Sequence, residues 1–145
     1  MYSKVRAYLR GQIKSVIPKA YEHKDVFNVE NIASSKIDEA FHIAYSPASI
    51  SIGQQNVETT VTVIITLFFK AERDVQVRYD SAMDLASNVM RTCASTASVY
   101  AARDIDGYPI QQVAPTGINT EQFDTNDNTF KIILSMDLLI IETIC

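Results

Sequence analysis

Apolar residues recur at steps of three and four through Val5, Leu9, Ile13, Val16 and Ile17, the single stripe of an amphipathic helix. Ser3 is placed to cap this helix and Pro18 to end it. Arg6, Arg10 and Lys14 fall four residues apart, on what reads as a solvated ridge. From Lys19 to Lys36, charges, Asn and Ser surround isolated hydrophobes at Tyr21, Val26, Phe27, Val29 and Ile32. This is the pattern of a long irregular connector pinned by a few anchors. Phe41 to Tyr45 alternates with period two and predicts a strand, and Ser46 to Asn56, with Pro47 and Gly53, predicts a turn-rich segment. The clearest element follows: Val57, Thr59, Val61, Val63, Ile65, Leu67, Phe69 and Ala71 all point one way. Together they predict a strand of about fifteen residues, roughly 50 Å long.

After Asp74 the period changes. Val75, Tyr79, Ala82, Ala86, Val89, Cys93 and Ala97 step by three or four, which predicts a second, longer helix capped by Asp74. Ser98 to Asn128 reads as loop, punctuated by Asp106-Gly107, Pro109 and Pro115-Thr116-Gly117, with one short strand from Ile110 to Val113. Phe130, Ile132, Leu134, Met136, Leu138 and Ile140 then alternate to the chain end as a final strand. The order helix, strand, strand, helix, strand, strand predicts a single α+β domain over residues 1–145, two helices packed on a mostly antiparallel sheet.

The long strands carry more apolar residues than one buried face requires. On the nominally polar side, Ile64 and Phe68 interrupt the run Glu58, Thr60, Thr62, Thr66, Lys70, and Ile133, Leu139 and Ile141 interrupt the last strand. An antiparallel sheet ordinarily keeps one face wet, and two helices cover only one face. These five residues are therefore candidate contacts with a neighbouring subunit or with a covering helix.

Composition narrows the partners. Thirteen Lys plus Arg against seventeen Asp plus Glu gives a net charge of −4, so the chain as a whole has no positive field for gripping nucleic acid. Its most apolar stretch, Val61 to Phe69, is broken by Thr62 and Thr66 and falls short of a membrane span. The first six residues are charged without a following apolar run, so a soluble, unsecreted chain is expected. Two cysteines more than fifty positions apart, Cys93 and Cys145, form neither a disulfide framework nor a metal knuckle.

Candidate chemistry is thin. Cys93 has neither His23 nor His42 near it in sequence and lies on the apolar stripe of the second helix, as a small buried hydrophobe does. Asp80 and Asp84 are one helical turn apart among Arg78, Ser81, Asn88 and Arg91, which is a solvated helix face more than an acid/base pair. His42 is a lone strand histidine, without the several ligands that a metal site needs. The four glycines are scattered and open no phosphate loop. The expectation is a protein without catalytic residues, metal or cofactor. The rival class is a small homo-oligomeric enzyme whose site forms between subunits, using His42 or Asp80 and Asp84.

The segment Phe27-Asn28-Val29-Glu30-Asn31-Ile32-Ala33-Ser34-Ser35-Lys36-Ile37-Asp38-Glu39-Ala40-Phe41-His42-Ile43, between an N-terminal helix and a long Thr/Val strand, resembles the tail terminator (tail completion) proteins of long-tailed bacteriophages. Size, element order and the closing aliphatic strand extend the resemblance over nearly the whole chain. It implies a protomer that assembles as a hexameric ring on the head-proximal end of the tail tube, stops tube growth and offers a docking surface to the head-completion or neck protein. DNA would pass through the lumen without specific binding, and the acidic balance suits that passage. The resemblance makes this a virion protein assembled in the host cytoplasm, with a head-completion or neck adaptor ring as the sibling reading. On it, Asn28, Glu30, Ile32 and Asp38, with Gln54, Gln55 and Asn56, are candidate contacts to tube or neck.

Overall fold

The computed structural model describes residues 2–23, 38–71, 73–124 and 129–143. The elements, in chain order, are α1 (Tyr2–Val16), β1 (Tyr21–Glu22), β2 (Ala40–Ile52), β3 (Asn56–Lys70), α2 (Val75–Ala94), α3 (Thr96–Asp104), β4 (Ile110–Asp124) and β5 (Thr129–Thr143). The strands form one sheet in the order β1-β2-β3-β5-β4. The β1–β2 pair is parallel and the other three pairs are antiparallel. The α+β architecture with a mostly antiparallel sheet is as expected, but its order gains β1 and α3.

Helix α1 buries Val5, Tyr8, Leu9 and Ile13, the expected stripe. Ser3 lies inside its first turn and does not cap it. The ridge of Arg6, Arg10 and Lys14 is only partly solvated. Arg6 and Arg10 turn onto Glu22 of β1, whose side chain is 6% exposed, because a carboxylate held that far from water requires paired cations. Lys14 alone stays exposed.

β2 and β3 form a hairpin that runs well past the expected turn. Ser46 to Ile52, predicted as loop, continues β2, with a register shift between Pro47 and Ser49. A bulge is where a strand accommodates a residue without an N–H. The turn itself is short, closed by the Gly53 N–H donating to the Asn56 carbonyl at 2.8 Å. β3 pairs with β5 along its whole length, from Asn56 opposite Thr143 to Lys70 opposite Thr129.

The single long second helix is two helices. Ser95, in an extended conformation (ψ 135°), ends α2, and its Oγ accepts from the Ser98 N–H to begin α3. Most of the expected 98–128 loop is also ordered, as α3 and the fifteen-residue β4. Shifts at Ile110/Gln112, Pro115/Gly117 and Gln122/Asp124 keep β4 in register with β5. All three helices supply residues to one core on one side of the sheet, where Val61, Val63, Ile65, Leu67 and Phe69 of β3 meet Leu9, Ile13, Ala86, Val89 and Cys93. The Tyr8 hydroxyl donates to the Cys93 carbonyl at 2.6 Å, tying α1 to α2.

Candidate assembly surface

The other side of the sheet is built by the even-numbered positions of β3 and their cross-strand partners. Ile64 lies between Ala44 and Ser135, Thr62 between Ser46 and Asp137, Thr60 between Ser49 and Leu139, and Glu58 between Ser51 and Ile141. Pleating puts directly paired residues on the same face, so Ile64, Leu139 and Ile141 share this face with a ladder of Thr and Ser. Ile133, paired with Thr66 and Asn119, belongs to it too. All four aliphatic residues are half-buried. Thr62 Oγ1 donates to Asp137 Oδ1 at 2.9 Å, which satisfies the carboxylate locally and leaves an oxygen acceptor on an otherwise weakly polar surface. A shallow concavity of about 200 Å³ opens beside it, lined by Thr60, Gln112, Ala114, Asp137 and Leu139.

Phe68 does not belong to this exposed set. It is 0% exposed within the single chain, and Ala40, His42 and Thr66 around it are buried as well. The end of this face where β2 begins is thus buried in the single chain, and the ring of Phe68 is closed to a neighbouring subunit. Of the two roles open to Phe68, a contact with a neighbouring subunit or one inside the chain, its burial fits the second: the even-numbered face is divided into a buried end and a half-open end.

Of the expected tube or neck contacts, Asn28, Glu30 and Ile32 lie outside the described residues. Asp38 is exposed and engaged, accepting from Arg78 Nη2 at 2.7 Å and from the Lys70 backbone N–H at 3.0 Å. Gln54, Gln55 and Asn56 sit exposed at the hairpin tip. Beside them are two residues outside the expected set, Ile50 and Ile52, 64% and 75% exposed on β2. Their signal was present, since Ser49-Ile50-Ser51-Ile52 alternates with period two; Pro47 and Gly53 on either side disguised it as loop.

The residues of the rival catalytic reading are scattered. His42 is buried, with its ring 6.2 Å from that of His23 between centroids. Asp80 and Asp84 are exposed on α2. Cys93 is fully buried, and burial pushes its thiol up to about 12, the opposite of what a nucleophilic thiolate needs. Among the described residues no group of three or more His, Cys, Asp or Glu is placed to hold a metal ion. No helix among them is long and apolar enough to cross a membrane.

Fold and surface together describe an α+β protein whose sheet has one face closed by helices and the other half-open. No protein-family model matches the chain, and no curated protein matches its sequence.

Proposed function

We propose that the chain is a structural subunit of the tail-terminator kind. In this reading it assembles through its half-open sheet face into a ring, hexameric by the resemblance, that caps the head-proximal end of a phage tail tube. The observation that carries the reading is the row of Ile64, Ile133, Leu139 and Ile141 on the face away from the helices. Aliphatic side chains on a Thr-rich sheet surface gain free energy when a second protein surface removes them from water, about 25 cal/mol per Å² buried. No chemistry is required of such a subunit; it acts by occupying the tube end and by presenting the opposite side of the ring to the head-completion or neck protein. The lumen passes DNA without gripping it, in keeping with the net charge of −4. On this reading the protein belongs to the virion, at the head-proximal end of the tail.

The test is tube assembly in vitro. Tail tube protein polymerised alone should give tubes of unregulated length. Addition of this chain should give shorter tubes, each closed at one end by added density. Tubes of unchanged length with bare ends would contradict the capping role, and binding to purified neck protein without tube binding would transfer the chain to the neck-ring sibling.

A further inference from the structure

Two apolar features stand at opposite ends of the sheet. At one end the β2–β3 hairpin presents Ile50 and Ile52 to solvent. At the other, past Lys70, the first turns of α2 expose Val75 and Val77, 52% and 63%, with Tyr79 beside them. The thirteen residue steps from Val57 to Lys70 separate these ends by roughly 40 Å. Next to Val77 is a cleft of about 590 Å³, whose lining includes Lys70, Arg73, Asp74 and Arg78.

The charges at the two ends are complementary. Arg78 is paired with Asp38 and Glu39, and Asp74 is occupied as the helix cap. Among the described residues, neither the Lys70 ammonium nor the Arg73 guanidinium has a carboxylate within ion-pair distance, and Glu58 has no cation within that distance. Glu58 is the only charged residue from Ser46 to Thr60. One end therefore offers two exposed isoleucines and one unpaired carboxylate, and the other two exposed valines at the rim of a mostly charged cleft, two of whose cations have no carboxylate partner among the described residues.

The faces agree as well. Ile50 and Ile52 pair with Thr59 and Val57, on the helix side of the sheet, whereas Glu58 and Lys70 are both even-numbered positions of β3 and lie on the opposite side. If one copy continues the sheet direction of the next, its Ile50 and Ile52 arrive on the α2 side and its Glu58 arrives on the Lys70 side.

We infer that the β2–β3 hairpin of one copy docks at the start of α2 of the next, with Ile50 and Ile52 against Val77 and Tyr79, and Glu58 against Lys70 and Arg73. The contact joins two different surfaces, so it is heterologous; repeated, it closes into a ring when the rotation per subunit divides a full turn, and otherwise it propagates as a filament. The apolar residues supply the affinity, and the charges steer the approach and fix the register. This inference rests on the reading of the chain as a self-assembling subunit and adds, beside its half-open sheet face, a second contact at the strand ends.

The test uses the full chain in a Cys93→Ala, Cys145→Ser background. Ile52→Cys and Val77→Cys are made in separate chains, then mixed and oxidised. Both positions are exposed, and circular dichroism checks that the fold is kept. The expected result is a disulfide joining the two different chains, with little product from either alone. In sedimentation velocity, Ile52→Asp should weaken assembly roughly tenfold to a hundredfold. Glu58→Lys should slow assembly, and Lys70→Glu with Arg73→Glu in the same chain should restore it. Assembly of the parent chain with no mixed disulfide and no effect of Ile52→Asp would overturn the contact while leaving the self-assembly reading standing. A parent chain that remains monomeric at every concentration, alone and with tail tube protein, would overturn both.

Discussion

Arg10 grips Glu22 with both ends of its guanidinium fork, Nε on Oε2 and Nη2 on Oε1, the latter at 3.1 Å. The pair joins α1 to the two-residue strand β1, and Arg6 reaches the same carboxylate at 3.7 Å while stacking over the Tyr45 ring. A strand of two residues has little sheet energy of its own. Its place at the start of β2 depends on this charged clamp.

Removal of the fork should therefore loosen the N-terminal corner. Arg10 is 37% exposed and Glu22 6%, so the pair lies between an exposed bridge and a buried one. Arg10→Ala should cost about 1–2 kcal/mol, read by urea denaturation. The loss in amide protection should concentrate in α1 and β1. An unchanged urea midpoint would show that the Arg10 fork is not what holds Glu22 in place.

Phe68 gives the opposite kind of test, one of the covered end of the sheet. Phe68→Ala removes a fully buried ring and should destabilise the isolated chain by about 3–5 kcal/mol. The loss should appear as a lower melting temperature at every protein concentration. Destabilisation that vanishes in dilute monomer would return Phe68 to a subunit contact.

How much of this was legible in the sequence depended on whether a residue's role was local. The alternation of β3 and β5 and the stripe of α1 are written in side-chain periodicity, and the structure places them close to where they were expected. Only Ile110–Val113 of β4 is legible as strand, because its bulges at Pro115/Gly117 and Gln122/Asp124 break the period-two pattern that marks strands. Arg6 and Arg10 resembled a solvated ridge because their partner Glu22 arrives from another strand. Phe68 is on the expected face, but its burial is a matter of tertiary packing, which no alternation pattern encodes.

The α2–α3 break was hidden for a different reason: the apolar step of three or four continues through Ala97, while a single serine does the breaking. Ser95 Oγ accepts from the Ser98 N–H at 3.1 Å. Ser95→Ala should cost about 1 kcal/mol, with faster hydrogen exchange at the first turn of α3. Unchanged exchange at Ser98 would remove the capping role.

Alkaline pH should unfold the protein through groups that the fold keeps neutral. Burial pushes Cys93 up to about 12 from its ordinary 9.0, and burial pushes the Tyr8 phenol up as well. Groups with raised folded-state values contribute stability fully below their unfolded values, and lose it as pH rises toward the folded ones. Thermal stability should be flat to about pH 8.5 and then decline, with Cys93 contributing at most about 1.4 kcal/mol per pH unit. Cys93→Ala should flatten the first part of that decline. A decline from pH 9 to 10 of the same steepness in the variant would assign the alkaline sensitivity elsewhere.

The claim that the chain is a ring subunit is tested most directly by negative-stain electron microscopy of the purified protein, alone and with tail tube ends, beside its Leu139→Asp variant. Leu139 is half-buried on the open sheet face, so in the single chain the aspartate remains near water, whereas in a subunit contact it would be a desolvated, unpaired charge. The account predicts closed rings with an open centre for the parent chain, and dispersed, folded monomers for the variant. Compact monomers in the parent under both conditions, or rings that persist unchanged in Leu139→Asp, would contradict it.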